Sequence, residues 1–180
     1  MDRLKIATLW LGGCSGCHMS FLDLDEWLID LAGKVELVYS PIMDIKVYPE
    51  QVDVALVEGA VANEENLELI HRVRRRTRIL VAFGDCAVTG NVTALRNSVS
   101  NVEGVLHRAY LEAADLQAQV PSEPGIVPAL LERVVPVHEA VPVDYFLPGC
   151  PPPAARIRSL LEQVLAGTPP ALAGQDLKFG

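Results

Sequence analysis

Four cysteines carry the chemistry that this sequence offers. Cys14 and Cys17 stand three residues apart in "LGGCSGCHMS", Cys86 lies in "GDCAVTGN" and Cys150 in "LPGCPPP". Such thiols can form a disulfide, hold zinc, serve as a redox dithiol or ligate an iron–sulfur cluster. Four-cysteine zinc sites place two close pairs on short knuckles, whereas here only one pair is close and the other cysteines come singly. A dithiol would use Cys14 and Cys17 and leave Cys86 and Cys150 unexplained. The glycines favour a cluster: Gly12, Gly13 and Gly16 beside the first pair, and Gly84 and Gly90 beside Cys86, are expected to take tight positive-φ turns. Such turns bring N–H groups against a bulky anion. The proline after Cys150 also suits an iron–sulfur loop.

The elements that must position these loops follow from the apolar runs. "LKIATLW" (4–10), "VELVYS" (35–40), "VDVALVEG" (52–59), "RILVAFGD" (78–85) and "VDYFLPG" (143–149) read as strands buried on both faces, as in a parallel sheet. Between them, 19–33 is expected as one helix, with Phe21, Leu24, Leu28 and Leu31 on one face and Gly33 as its stop. A second helix starts with Asn63 as N-cap and Glu64 and Glu65 in its first turn, and the basic run "HRVRRRTR" (71–78) closes it. A docking patch is the other reading of that run. A third helix, "PPAARIRSLLEQVLAG", begins at proline and ends at Gly167. Alternating strand and helix implies right-handed βαβ units, with 92–140 as an irregular excursion before the fifth strand. Every cysteine then follows the carboxyl end of a strand, the edge at which open α/β sheets bind ligands.

The 180 residues suit a single domain spanning 1–180. Half of them are apolar and the mean hydropathy is +0.25, although no stretch reaches the roughly 20 apolar residues of a membrane span. The excess points to an apolar face covered by a partner. A net charge of −8 argues against nucleic acid. The start of the chain reads as a strand rather than an export signal, so a cytoplasmic setting with reduced thiols is expected.

Taken in order, "GGCSGCHMSFLD", "VEGAV", "GDCAVTGN" and "PGCPP" resemble the small subunit of nickel–iron hydrogenases. The closest likeness is to the small (delta) subunit of the soluble, bidirectional, NAD-reducing type, and it runs from Lys5 to about Leu165. The resemblance implies a doubly wound, flavodoxin-like α/β domain holding one proximal [4Fe–4S] cluster on Cys14, Cys17, Cys86 and Cys150. It also implies a large subunit with the NiFe centre, and diaphorase subunits with further Fe–S clusters and FMN that reduce NAD. The chain ends thirty residues after Cys150 without a spare cysteine, so it is expected to hold one cluster only. Membrane-bound and periplasmic relatives have a glutamate where this chain has Met19, and they carry a twin-arginine leader. A small subunit serving heterodisulfide reductase or coenzyme F420 is less cleanly separated. The cluster subunit of complex I has two adjacent cysteines where this chain has "CSGC". A flavodoxin-type FMN module would need a Ser- and Thr-rich loop after the first strand, where cysteines stand instead; a flavin at another place stays open.

Five further residues bear on the site. His18 is either a hydrogen-bonding or interface group, or simply a partly exposed residue opening a helix. Glu58 is expected to accept hydrogen bonds from loop N–H groups in support of the cluster loops, rather than to relay protons. Asp85 could cap its loop or tune a potential. Trp10 and Trp27 read as packing groups, and His71, His107 and His138 lack the spacing to recruit a metal together.

Overall fold

The computed structural model describes residues 3–99 and 101–179. Five strands form one parallel sheet: β1 (Leu4–Trp10), β2 (Val35–Tyr39), β3 (Val52–Glu58), β5 (Thr77–Phe83) and β7 (Tyr145–Leu147), in the order β2-β1-β3-β5-β7. Counting the strands of this sheet alone, the order is the 2-1-3-4-5 of flavodoxin-like folds. All five lie on the runs expected to be strands. Their side chains alternate between two cores, as the pleat requires. Ala7, Leu9, Ala55, Val57, Leu80 and Ala82 enter one core with Ile70 and Val73 of α3 (Glu64–Arg76). Ile6, Val54, Leu56, Val81 and Phe83 enter the other, with Trp27, Leu31, Ile157, Leu160 and Leu161. Burial on both faces explains why the central strands β1, β3 and β5 read as continuous apolar runs.

The register decides where the loops emerge. Trp10 pairs with Glu58, Glu58 with Phe83 and Phe83 with Leu147, so four strands finish flush at one edge. The chain leaves that edge toward Cys14, Gly59, Cys86 and Cys150.

The helix expected over 19–33 is two helices, α1 (Gly16–Leu22) and α2 (Trp27–Lys34). The chain turns between them with Asp25 at φ +50°, a conformation aspartate tolerates better than most residues. The turn allows Leu24, Trp27 and Leu31 all to reach the same core. Gly33 is not a stop: α2 continues to Lys34 and ends because Val35 turns extended to start β2. The other termini follow expectation. Asn63 caps α3 by accepting from the Asn66 N–H at 2.8 Å, with Glu64 and Glu65 in the first turn and Arg74, Arg75 and Arg76 in the last. Helix α8 (Ala154–Leu165) follows Pro153, and Gly167 turns the chain at φ +70°.

The 92–140 segment holds more order than its sequence suggests. It contains a strand, β6 (Leu130–Val135), paired antiparallel with β4 (Val61–Asn63). Arg96 donates to the carbonyls of Leu131 at 2.6 Å and Ala62 at 3.1 Å. Asn97 exchanges two bonds with Val134. Short helices border and interrupt this stretch: α4 (Asp85–Thr89) precedes it, α5 (Asn91–Ala94) opens it, α6 (Val102–His107) lies within it and α7 (Val137–Ala140) ends it. Among the described residues, no helix is long and apolar enough to cross a membrane.

Candidate functional site

The flush strand ends deliver all four cysteines to one rim. Cys17 is buried at the start of α1, Cys86 is half-buried, and Cys14 and Cys150 are exposed; all four are free thiols. Burial pushes the Cys17 thiol well above its ordinary value, the Glu58 carboxylate adds to this, and so do Cys86, Cys14 and Cys150. The Cys17 sulfur thus lies within electrostatic reach of the other three. Yet among the described residues no three Cys, His, Asp or Glu groups are close enough together to share a single metal ion. Four cysteines delivered from three loops to one edge suit the four-thiolate ligation of an iron–sulfur cluster.

Of the five glycines beside the cysteines, Gly84 and Gly90 take the expected positive φ. Gly12, Gly13 and Gly16 keep ordinary φ; the left-handed residue of their loop is Ser15, at φ +68°. What Gly12 supplies is closeness: it exchanges backbone hydrogen bonds with Ala60 at 2.9 and 2.8 Å. Gly84 does have positive φ, +85°, and a Cβ there would lie 2.1 Å from the Cys17 sulfur. No other residue leaves room for that sulfur, so the Cys86 loop and the Cys17 side chain are built around each other.

Four polar side chains lock the loops together. Buried Glu58, the last residue of β3, accepts from the N–H groups of Cys17 at 3.4 Å and His18 at 3.0 Å. Buried Asp85 accepts from the Gly149 N–H at 2.6 Å, joining the Cys86 loop to the Cys150 loop. Ser20 of α1 donates to the Pro152 carbonyl at 2.6 Å, and Thr93 donates to the Gly12 carbonyl at 2.8 Å. Glu58 and Asp85 therefore act in support of the loops, as their positions suggested. Ser20 and Thr93 carry no signal in the sequence, because their partners are backbone carbonyls distant along the chain.

His18 is neither exposed nor free. Its Nδ1 meets the Glu58 carboxylate and its ring stands edge-on to Phe83. Facing a carboxylate, Nδ1 carries the proton. The other nitrogen, Nε2, is buried without a hydrogen-bond partner among the described residues. Trp27 is buried as expected, but Trp10 is 47% exposed. As the last residue of β1 it points beyond the sheet edge, and its indole donates to the Gly13 carbonyl at 3.1 Å. Met19 and Val92 are also exposed there, at 60% and 62%, so the thiols open onto an apolar rim. Away from the site, His107 meets Glu112 and His138 stacks edge-on against Phe146.

Burial and thiol repulsion would keep Cys17 protonated in a bare site. Loading metal must therefore displace protons, and the positive charge of iron offsets the crowding of four thiolates. The donor set fits an iron–sulfur cluster.

The family model described as the NADH ubiquinone oxidoreductase 20 Kd subunit matches residues 14–164. The delta subunit of the NAD-reducing hydrogenase HoxS of Cupriavidus necator is 43% identical over 93% of this chain and 81% of its own length. One of the subunits of the F420-non-reducing hydrogenase vhu of Methanocaldococcus jannaschii is 38% identical over 94% of this chain, which spans only 58% of that relative. A crystal structure of an NAD+-reducing [NiFe]-hydrogenase in the H2-reduced state contains a chain that superposes with a TM-score of 0.94. That chain is 43% identical, and the match covers 99% of this chain and 100% of that one.

Proposed function

The chain belongs to the family of the NADH ubiquinone oxidoreductase 20 Kd subunit, and from that membership we propose that it is the electron-transfer small subunit of a cytoplasmic [NiFe] hydrogenase that reduces NAD. Cys14, Cys17, Cys86 and Cys150 would hold one [4Fe–4S] cluster. The large subunit would carry the NiFe centre, and diaphorase subunits with Fe–S clusters and FMN would receive the electrons. The observation that carries this reading is the convergence of four free thiols, from three loops, on one edge of the sheet.

When bound, such a cluster takes up and releases one electron at a time. This chain's contribution is positioning. Glu58 fixes the backbone of Cys17 and His18, and Asp85 fixes the Cys150 loop to the Cys86 loop. Burial raises the pKa of the Cys86 thiol, and the Thr93 hydroxyl, followed by the backbone N–H groups of Val92 and Thr93, favours its thiolate against that burial. The apolar rim of Trp10, Met19 and Val92 suits a dry partner surface, which excludes water and keeps the electron path short.

The identity to part of an F420-non-reducing hydrogenase favours a second reading, in which the same cluster serves a different electron acceptor. Purification of the chain from its own host distinguishes the two. About four iron and four sulfide per chain are expected, with an accompanying large subunit and hydrogen-dependent NAD reduction. A preparation that oxidises hydrogen but leaves NAD untouched supports the second reading, and zinc in place of iron defeats both.

A further inference from the structure

The turn that follows Cys86 holds an unusual residue. Gly90 is at φ +84° and the next residue, Asn91, at φ +31°. Glycine would occupy the second position without strain, whereas an L side chain there has a cost. The asparagine side chain has one evident use: its Nδ2 donates to the Cys150 sulfur at 3.5 Å. Cys150 lies in another loop, 59 residues along the chain. The two residues after Asn91 present backbone N–H groups to Cys86. A four-residue turn thus offers donors to two of the four sulfurs.

Resting on the cluster reading above, we infer that Asn91 is a positioning residue that raises the reduction potential of the cluster through its amide bond to the Cys150 sulfur. A [4Fe–4S] core with four thiolates carries a charge of about −2 when oxidised and about −3 when reduced, and hydrogen bonds to the sulfurs favour the more negative state. Cys150 is exposed in the isolated chain. A partner covering the rim would remove competing water and strengthen the bond.

The test compares Asn91→Gly and Asn91→Asp with the parent chain, each purified with its accompanying subunits. The midpoint potential is read by EPR-monitored redox titration, and the Fe–S stretching bands by resonance Raman. Asn91→Gly keeps the turn and removes the donor. It should shift the equilibrium about tenfold toward the oxidised cluster, which is about 59 mV for one electron. Asn91→Asp places a negative charge against the sulfur and should move it further in the same direction. Both variants should bind as much iron and sulfide as the parent, and the terminal Fe–S bands should shift. A loaded glycine variant with an unchanged or more positive potential overturns the assignment of Asn91 alone. A parent chain without iron and sulfide overturns the cluster reading and this inference together.

Discussion

The two ends of the central sheet are finished differently. At the amino end, polar groups are paired with one another. Tyr48 shares a hydrogen bond with Thr77 at 2.7 Å. Arg76 donates to the Tyr48 carbonyl at 2.6 Å and meets Glu50 at 2.7 Å, and Arg74 meets Asp144 at 2.6 Å. Asp144 in turn accepts from the Leu80 N–H at 2.7 Å, and Asp53 from the Lys5 N–H at 2.9 Å. At the carboxyl end stand free thiols, an unpartnered histidine nitrogen, left-handed Ser15 and Asn91, and apolar residues turned outward. One end closes the fold. The other gathers free thiols, a buried ring nitrogen without a partner among the described residues and outward apolar groups, the usual division between scaffold and site.

This contrast predicts that damage at the carboxyl end costs the cluster, and damage at the amino end costs stability. The largest effect is expected from Cys17→Ser, which removes the buried thiol at the centre of the set. Iron and sulfide per chain should fall roughly tenfold or more while the fold survives, as read by metal analysis beside circular dichroism. Gly84→Ala comes next. Its Cβ would collide with the Cys17 sulfur and its φ would be strained by about 1–3 kcal/mol, so both cluster content and melting temperature should drop. Tyr48→Phe should leave cluster content unchanged. Because it strands the buried Thr77 hydroxyl, it should lower unfolding free energy by about 1–2 kcal/mol in denaturant titration. The smallest effect is one of pH. Burial first of all pushes the Tyr48 hydroxyl from 10.0 up to about 12. The neutral phenol is thus favoured by folding, its contribution is complete below pH 10, and it is lost as pH rises toward 12. Tyr48→Phe should lose that part of the alkaline slope, and equal slopes in parent and variant would contradict the assignment.

How much of this was legible in the sequence follows the physical range of each interaction. The three central strands were readable because burial on both faces writes a nearly unbroken apolar run, and the edge strands β2 and β7, though partly exposed, kept enough apolar residues to be seen. The convergence of the cysteines was readable because parallel strands all finish at one edge. Asn63 was readable because an N-cap acts over three residues. The break between α1 and α2 was not, since the apolar spacing continues across the turn at Asp25 and only the need to bury Trp27 divides it. Strand β6 was hidden because its partner β4 is three residues long and its register is held by Arg96 and Asn97, side chains that bind only backbone. The glycines of the first loop were assigned the wrong job for a related reason: close approach of two backbones leaves the same residue in the sequence as a left-handed turn. Trp10 was misjudged because the end of a strand and its middle look alike in composition.

The level finish of Trp10, Glu58, Phe83 and Leu147 also constrains which length changes the chain can accept. Removing one residue inside β1, β5 or β7 would draw its loop back by about 3.3 Å and turn its side chains to the opposite face, so two sulfurs (β1) or one (β5 or β7) would leave the set while the others stayed. Added residues are tolerable where the chain runs over the surface, as in 113–128, which holds no cysteine. Insertions and deletions among homologues should therefore collect in that stretch and at the far end of the sheet, and spare the strands that lead to Cys14, Cys86 and Cys150.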